Sequence, residues 1–276
     1  MPELPEVETT VRGLAKVLDG RRIESIELRR SDLRRPFPVD LRQRMTGARV
    51  TGLGRRAKYG LIDTDRGDTF VFHLGMSGSW RVDPSEIGTH DHVVIETDEG
   101  RRLSLNDPRR FGSIDLVPTE RLESSEPFSR MGPEPLSDDF DGAYLAEALA
   151  GRQAPIKAML LDQRVVAGLG NIYVCEALHM ARIAPTRAAG RISGPRPIGA
   201  ARGDRRRRLN PARLCAAQWR ARLLLGQMAG LWTRGKGLPG LRRQGPPPHR
   251  FGPLDLLLPE LPARLTRSGR IPRWRA

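Results

Sequence analysis

Apolar residues Leu4, Val7, Val11, Leu14 and Leu18 recur at helical spacing, which predicts one amphipathic helix with Pro2 and Glu3 at its start. The period then changes. RIESIELR, ARVTGLGRR, YGLIDTD, DTFVFHLG, HVVIETD and RRLSLND are short β-type runs punctuated by Gly, Asp and Pro, the pattern of an antiparallel sandwich or barrel. SSEPFSRMGPEPLSDDFDG reads as a linker. Beyond it AYLAEALAGR, PIKAMLLDQ and NIYVCEALHMARI are helical, with AGLGN making a tight glycine turn between the last two. From about Pro195 the chain becomes rich in Arg, Pro and Gly and clean periodicity is lost. The fold class is therefore α+β, an antiparallel β-sandwich with a long N-terminal helix followed by a helical domain. The expected boundaries are 1–118 for the sandwich, 119–133 for the linker, 134–196 for the helical domain and 197–276 for an aberrant basic tail.

Composition narrows the class. At 276 residues there is chain enough for two domains with buried cores. The acidic, Pro-broken opening predicts no signal peptide, and no run of about 18 apolar residues exists, since Arg220 and Arg222 interrupt the longest greasy stretch. Cys175 and Cys215 stand alone without a CxxC pair, so neither a disulfide framework nor a thiolate zinc site is written here. A soluble protein of the cytoplasm is expected. The net charge of +15 points to a polyanion. Yet residues 205–276 hold 17 Lys and Arg against two acids, and residues 1–204 hold 30 of each sign. The first two-thirds must be judged on individual side chains.

Those side chains carry a resemblance. MPELPEVETT, RRAKYG, HLGMSG, HDHV, NDPRRFG, GPEPLSDDF and GLGNIYVCEALH occur in this order. Together, over residues 1 to about 195, they resemble the bacterial formamidopyrimidine-DNA glycosylases, enzymes that remove oxidised purines such as 8-oxoguanine from DNA. The related endonuclease-eight branch usually has Gly where Leu4 stands, so Leu4 favours the purine branch. The resemblance implies a helix-two-turn-helix DNA-binding domain, damaged double-stranded DNA as partner, a monomer, and a place in the bacterial cytoplasm at the nucleoid. It also implies catalytic residues. With Met1 removed, Pro2 is the Schiff-base nucleophile, Glu3 a proton donor, and Lys58 a second proton donor during β-elimination. The chemistry is sound: an α-amino group titrates near 8, against about 10.4 for Lys, so it offers more free base at neutral pH. An isolated Pro-Glu would be no more than a helix start.

A glycosylase must extrude its nucleotide and fill the gap. Met76, Arg109 and Phe111 match the family's void-filling positions. Taken alone, Met76 and Phe111 read as core and Arg109 as a solvated charge, but Gly75, Gly78 and Pro108 predict exposed tips. His90, Lys157 and Asn171 match DNA-contact positions. Asn171 follows a glycine turn, either as an ordinary N-cap or beside free N–H groups suited to phosphate. The family usually has Lys or Arg where Gln153 stands, and Arg152 is the available substitute. His73 reads as a packed residue without a role.

The tail departs from the family, which ends in a four-cysteine zinc finger. Leu238-Pro-Gly-Leu241 and Leu258-Pro-Glu-Leu261 have the spacing of two CPxC knuckles, and leucine codons shifted by one nucleotide can read as cysteine. Recoding GLWTRGKGLPGLRRQ and LDLLLPELPAR in the shifted frame yields finger-like segments. The expectation is a frame slip between about Pro195 and Gly203, no encoded zinc site and no cofactor. An endonuclease-eight-like enzyme and an inactive DNA-binding remnant remain as other readings.

Overall fold

The computed structural model describes residues 2–192. Helix α1 spans Leu4–Leu18 and buries the apolar stripe read from the sequence. The chain reverses at Gly20, whose φ of 73° is free of steric cost only for glycine, and enters β1 (Ile23–Leu28). A one-turn helix α2 (Leu41–Met45) leads to β2 (Val50–Arg56), β3 (Tyr59–Thr64), β4 (Asp68–His73), β5 (Ser79–Val82), β6 (Asp91–Thr97), β7 (Arg102–Asn106) and β8 (Ser113–Pro118). These form two four-stranded antiparallel sheets ordered β1-β6-β7-β5 and β2-β3-β4-β8.

Between the sheets pack Ile26, Ile95 and Leu105 from one side and Ile62, Phe70 and Phe72 from the other, closed at one edge by Val7, Val11, Leu14 and Leu18 of α1. Each fully buried side chain of this size contributes about 1.5–3 kcal/mol. The run of β4 is apolar on both faces for a reason. Its outward Val71 is covered, with Leu61, by Phe128 from the stretch that reads as a linker. That stretch is therefore packed onto the sheet and carries two short 3₁₀ turns.

Three helices follow, α3 (Gly142–Leu149), α4 (Ile156–Leu161) and α5 (Asn171–Ala181). Their core is separate, built on Leu145, Leu149, Ile156, Leu160, Val174 and Leu178. Asp141 caps α3 by accepting from the Tyr144 amide at 2.7 Å. The pattern missed β5, β8 and α2, which are only partly apolar. The expected tail, with its Leu knuckles, lies outside the described residues.

Candidate active site

Glu3 is the N-cap of α1 and only 1% exposed. Its own amide donates to Glu6 Oε2 at 2.9 Å, the reach-back expected when Glu sits three residues into a helix. Its carboxylate crosses to the start of α5. There it accepts from the Gly170 amide at 2.9 Å, the Ile172 amide at 2.8 Å and the Tyr173 amide at 3.2 Å. A carboxylate at a helix N-terminus satisfies orphan donors and meets the positive end of the dipole. The fit requires glycine: a Cβ at Gly170 would collide with the Glu3 carboxyl group. Tyr173 seals the contact by donating its hydroxyl to Glu6 Oε1 at 2.9 Å. Burial, followed by the Glu6 charge, pushes that phenol well above its ordinary range.

Lys58 reaches the same loop from the sandwich. It follows Ala57 in the β2–β3 turn, where Ala57 holds a φ of 54°, a conformation that costs a non-glycine residue about 1–2 kcal/mol. Glu134 holds that turn. It accepts from the Ala57 amide at 2.5 Å, Arg55 Nη1 at 2.8 Å and Arg56 Nη1 at 3.2 Å, while Arg55 Nε also donates to Glu8 at 2.9 Å. Thus pinned, Lys58 donates from Nζ to the Leu169 carbonyl at 2.8 Å. Gln163 donates to the same carbonyl at 2.9 Å and accepts from the Gly168 amide at 2.8 Å, which fixes the glycine loop. Burial holds the Lys58 ammonium below the usual lysine range, and the Glu3 charge partly offsets this. Leu4 donates its amide to the Gly168 carbonyl at 3.2 Å, so half-buried Pro2 stands at the lip of this junction.

A second group of candidates lies on loops of the sandwich. Met76 and Phe111 are each 43% exposed, which excludes the core reading. The Met76 turn is held by Gly75, with φ 60°, whose amide donates to His73 Nδ1 at 3.0 Å. His73 is thus a neutral acceptor and not mere filling. Burial, with Lys58, Arg34 and Arg35 near, lowers its pKa to about 4. A Cβ on Gly75 would strike the backbone of Phe111 and Gly112, so the two loops touch. The Arg109 guanidinium lies 4.8 Å above the centroid of the Phe111 ring. His90 is exposed on a neighbouring loop.

The remaining candidates fall on the helical module. Arg152 and Gln153 are exposed on the α3–α4 connection and Lys157 is half-buried in α4. Asn171 corrects an expectation. The N-cap of α5 is Gly170, and Asn171 is the first helical residue. The N–H groups expected to be open to phosphate are instead engaged by Glu3 at Gly170, Ile172 and Tyr173. Sequence reasoning overlooked Glu6, Glu134, Gln163 and Tyr173. Glu6 left a local signal as the Glu at the third position after Glu3, and Glu134 and Tyr173 lie inside the GPEPLSDDF and GLGNIYVCEALH motifs, from which no role was read for them. Among the described residues no group of three or more His, Cys, Asp and Glu could hold a metal ion, and no helix is long and apolar enough to cross a membrane.

A buried carboxylate and a desolvated lysine thus meet where a β-sandwich joins a helical module, with an aromatic–arginine–methionine group on adjacent loops, an arrangement able to hold and move protons at a reacting group. Comparison with known proteins specifies it. The sequence profile of the formamidopyrimidine-DNA glycosylase N-terminal domain matches residues 1–114, and that of the formamidopyrimidine-DNA glycosylase H2TH domain matches residues 131–197. The formamidopyrimidine-DNA glycosylase of Rhizorhabdus wittichii is 74% identical over 196 residues, covering 71% of this chain and 73% of the relative. That of Zymomonas mobilis is 54% identical over 187 residues, covering 68% and 69%. The crystal structure of wild-type Lactococcus lactis Fpg with DNA containing N7-benzyl-Fapy-dG superposes with a TM-score of 0.70 at 31% identity, covering 83% of this chain and 80% of that one. The chain belongs to the formamidopyrimidine-DNA glycosylase family.

Proposed function

We propose that this enzyme excises oxidised purines, 8-oxoguanine and formamidopyrimidines, from duplex DNA and then cleaves the strand at the resulting site. The observation that carries the reading is the convergence of Glu3 and Lys58 on the Gly168–Gly170 loop, directly beside Pro2. With Met1 removed, the Pro2 secondary amine attacks C1′ of the extruded nucleotide. A C–N bond forms, the glycosidic bond breaks, and the base leaves with a proton. Glu3, locked in place by three N–H groups, is placed to move protons at the sugar or leaving group. Opening of the C1′–O4′ bond, with Glu3 supplying the proton to O4′, turns this adduct into an iminium, which acidifies the adjacent carbon. Loss of that carbon's proton to water expels the 3′-phosphate by β-elimination, with Lys58 supplying a proton to the leaving phosphate. Met76, Arg109 and Phe111 fill the space left in the stack, and His90, Arg152, Gln153, Lys157 and Asn171 face the backbone. Parallel assays on 8-oxoguanine and thymine-glycol duplexes test the specificity. Preferred release of 8-oxoguanine is expected, and preferred release of thymine glycol would move the chain to the pyrimidine branch.

The C-terminal quarter is, in our reading, out of frame. The R. wittichii relative is 74% identical over 196 residues but only 73% covered, and the H2TH match ends at residue 197. The excess positive charge and the two Leu-Pro-x-Leu knuckles lie beyond that point. Leu238, Leu241, Leu258 and Leu261 carry no donor atom, so the residues present do not fit the family's structural zinc. The encoded chain is expected to bind no zinc and to turn over poorly. Restoring the frame is expected to recover about one zinc per chain, as one four-ligand site requires. Resequencing that finds no insertion or deletion relative to close relatives, or zinc bound by the chain as encoded, would refute the frame slip.

A further inference from the structure

The two wedge loops are joined through one side chain that the chemistry above does not use. Asp107 is completely buried at the end of β7. Its Oδ1 accepts from Ser77 Oγ at 2.8 Å, and its Oδ2 accepts from the Gly112 amide at 2.8 Å. Ser77 follows Met76, and Gly112 follows Phe111. Ser77 Oγ in turn accepts from the Arg109 amide at 3.3 Å. The main chain of Asp107 extends the set, because its amide donates to the His90 carbonyl at 2.9 Å and its carbonyl accepts from the Arg110 amide at 3.1 Å. His92 Nε2 lies 3.0 Å from the same carbonyl.

An Asp before Pro commonly does no more than close its own turn, and the Gly112 contact alone would fit that role. The bond to Ser77 does not. It belongs to a loop thirty residues away in sequence, and a local turn has no need of it. Both oxygens of the carboxylate are spent on neutral donors, one from each wedge loop.

We propose that Asp107 is a positioning residue that sets the spacing of the Met76 loop relative to the Arg109–Phe111 loop, and with it the enzyme's ability to extrude a stacked nucleotide. The inference rests on the reading of these loops as void-filling. Removing one donor leaves a buried carboxylate oxygen unpaired and frees the loops to shift independently, and small misplacements of such groups are costly in rate.

The test uses the full chain and a duplex carrying 2-aminopurine beside the 8-oxoguanine, with fluorescence reporting unstacking. A pre-formed abasic duplex serves as the second substrate. Ser77→Ala is expected to slow unstacking and 8-oxoguanine release about tenfold, while abasic-strand cleavage falls by less than about threefold. Asp107→Ala removes both acceptor oxygens and with them both links, so it is expected to show the same split. Equal losses on both substrates, with a lowered unfolding midpoint, would make Asp107 merely structural and overturn the proposal. So would full unstacking by both variants when Met76→Ala and Phe111→Ala lose it; in that case the wedge reading survives alone. If Met76→Ala and Phe111→Ala also unstack normally, the wedge reading fails and the proposal falls with it.

Discussion

The junction around Glu3 and the loop tips around Met76 solve opposite problems. At the junction, a carboxylate nearly sealed from water is met by three backbone N–H groups, and Lys58 is delivered by a turn clamped under Glu134. Its order comes from burial and from polar groups satisfied one by one. At the tips, Met76 and Phe111 stay exposed, and order comes from glycine turns, a neutral His73 and the carboxylate of Asp107 beneath the surface. Chemistry needs the first kind of site, dry and fixed. The proposed filling of a base stack needs the second, apolar groups held in water until DNA covers them.

Five substitutions would break or sharpen this contrast. Glu3→Gln attacks the junction at its centre. Its amide cannot accept from all three N–H groups, and single-turnover release of 8-oxoguanine is expected to fall about 10²–10⁴-fold. Glu134→Gln leaves Arg56 without its counter-charge and Arg55 with Glu8 alone. Urea unfolding should register a loss of about 1–3 kcal/mol, and strand cleavage through Lys58 should weaken with it.

His73→Gln probes the support beneath the tips. His73 titrates at about 4 in the fold against 6.5 ordinarily, so the native state binds fewer protons in that interval and stability rises with pH across it. Acidification from 6.5 to 4 should therefore cost the native protein on the order of 3 kcal/mol that the Gln variant does not lose. A pH-stability profile of the two proteins would measure the difference. Met76→Ala and Phe111→Ala should change unfolding free energy by only about 0.5 kcal/mol, since both side chains are substantially exposed. A large destabilisation of either would place it in the core and erase the contrast.

Much of this was legible in the chain. The helical spacing from Leu4 to Leu18 gave α1 with its bounds, because one amphipathic period ran uninterrupted from the N-cap to Asp19. The β runs marked six of the eight strands, while β5 and β8 escaped because their residues are only partly buried and weakly patterned. Glu3 and Lys58 were legible as candidates through their motifs. Their partners were not. Glu134 lies 77 residues from Ala57, Gly170 lies 167 from Glu3, and no periodicity encodes contacts at that separation. The same gap explains the misreading of α5. A glycine turn before a helix looks open to phosphate until the folded chain brings Glu3 across it.

The central claim is that Pro2, Glu3 and Lys58 form a working covalent site within the first 192 residues. It is tested most directly by incubating the full chain with abasic duplex DNA and borohydride, then mapping the adduct by mass spectrometry. The account predicts one DNA adduct on the Pro2 nitrogen, formed by the chain as encoded and in higher yield after the frame is restored. An adduct on a lysine, or none at Pro2 in either protein, would contradict it.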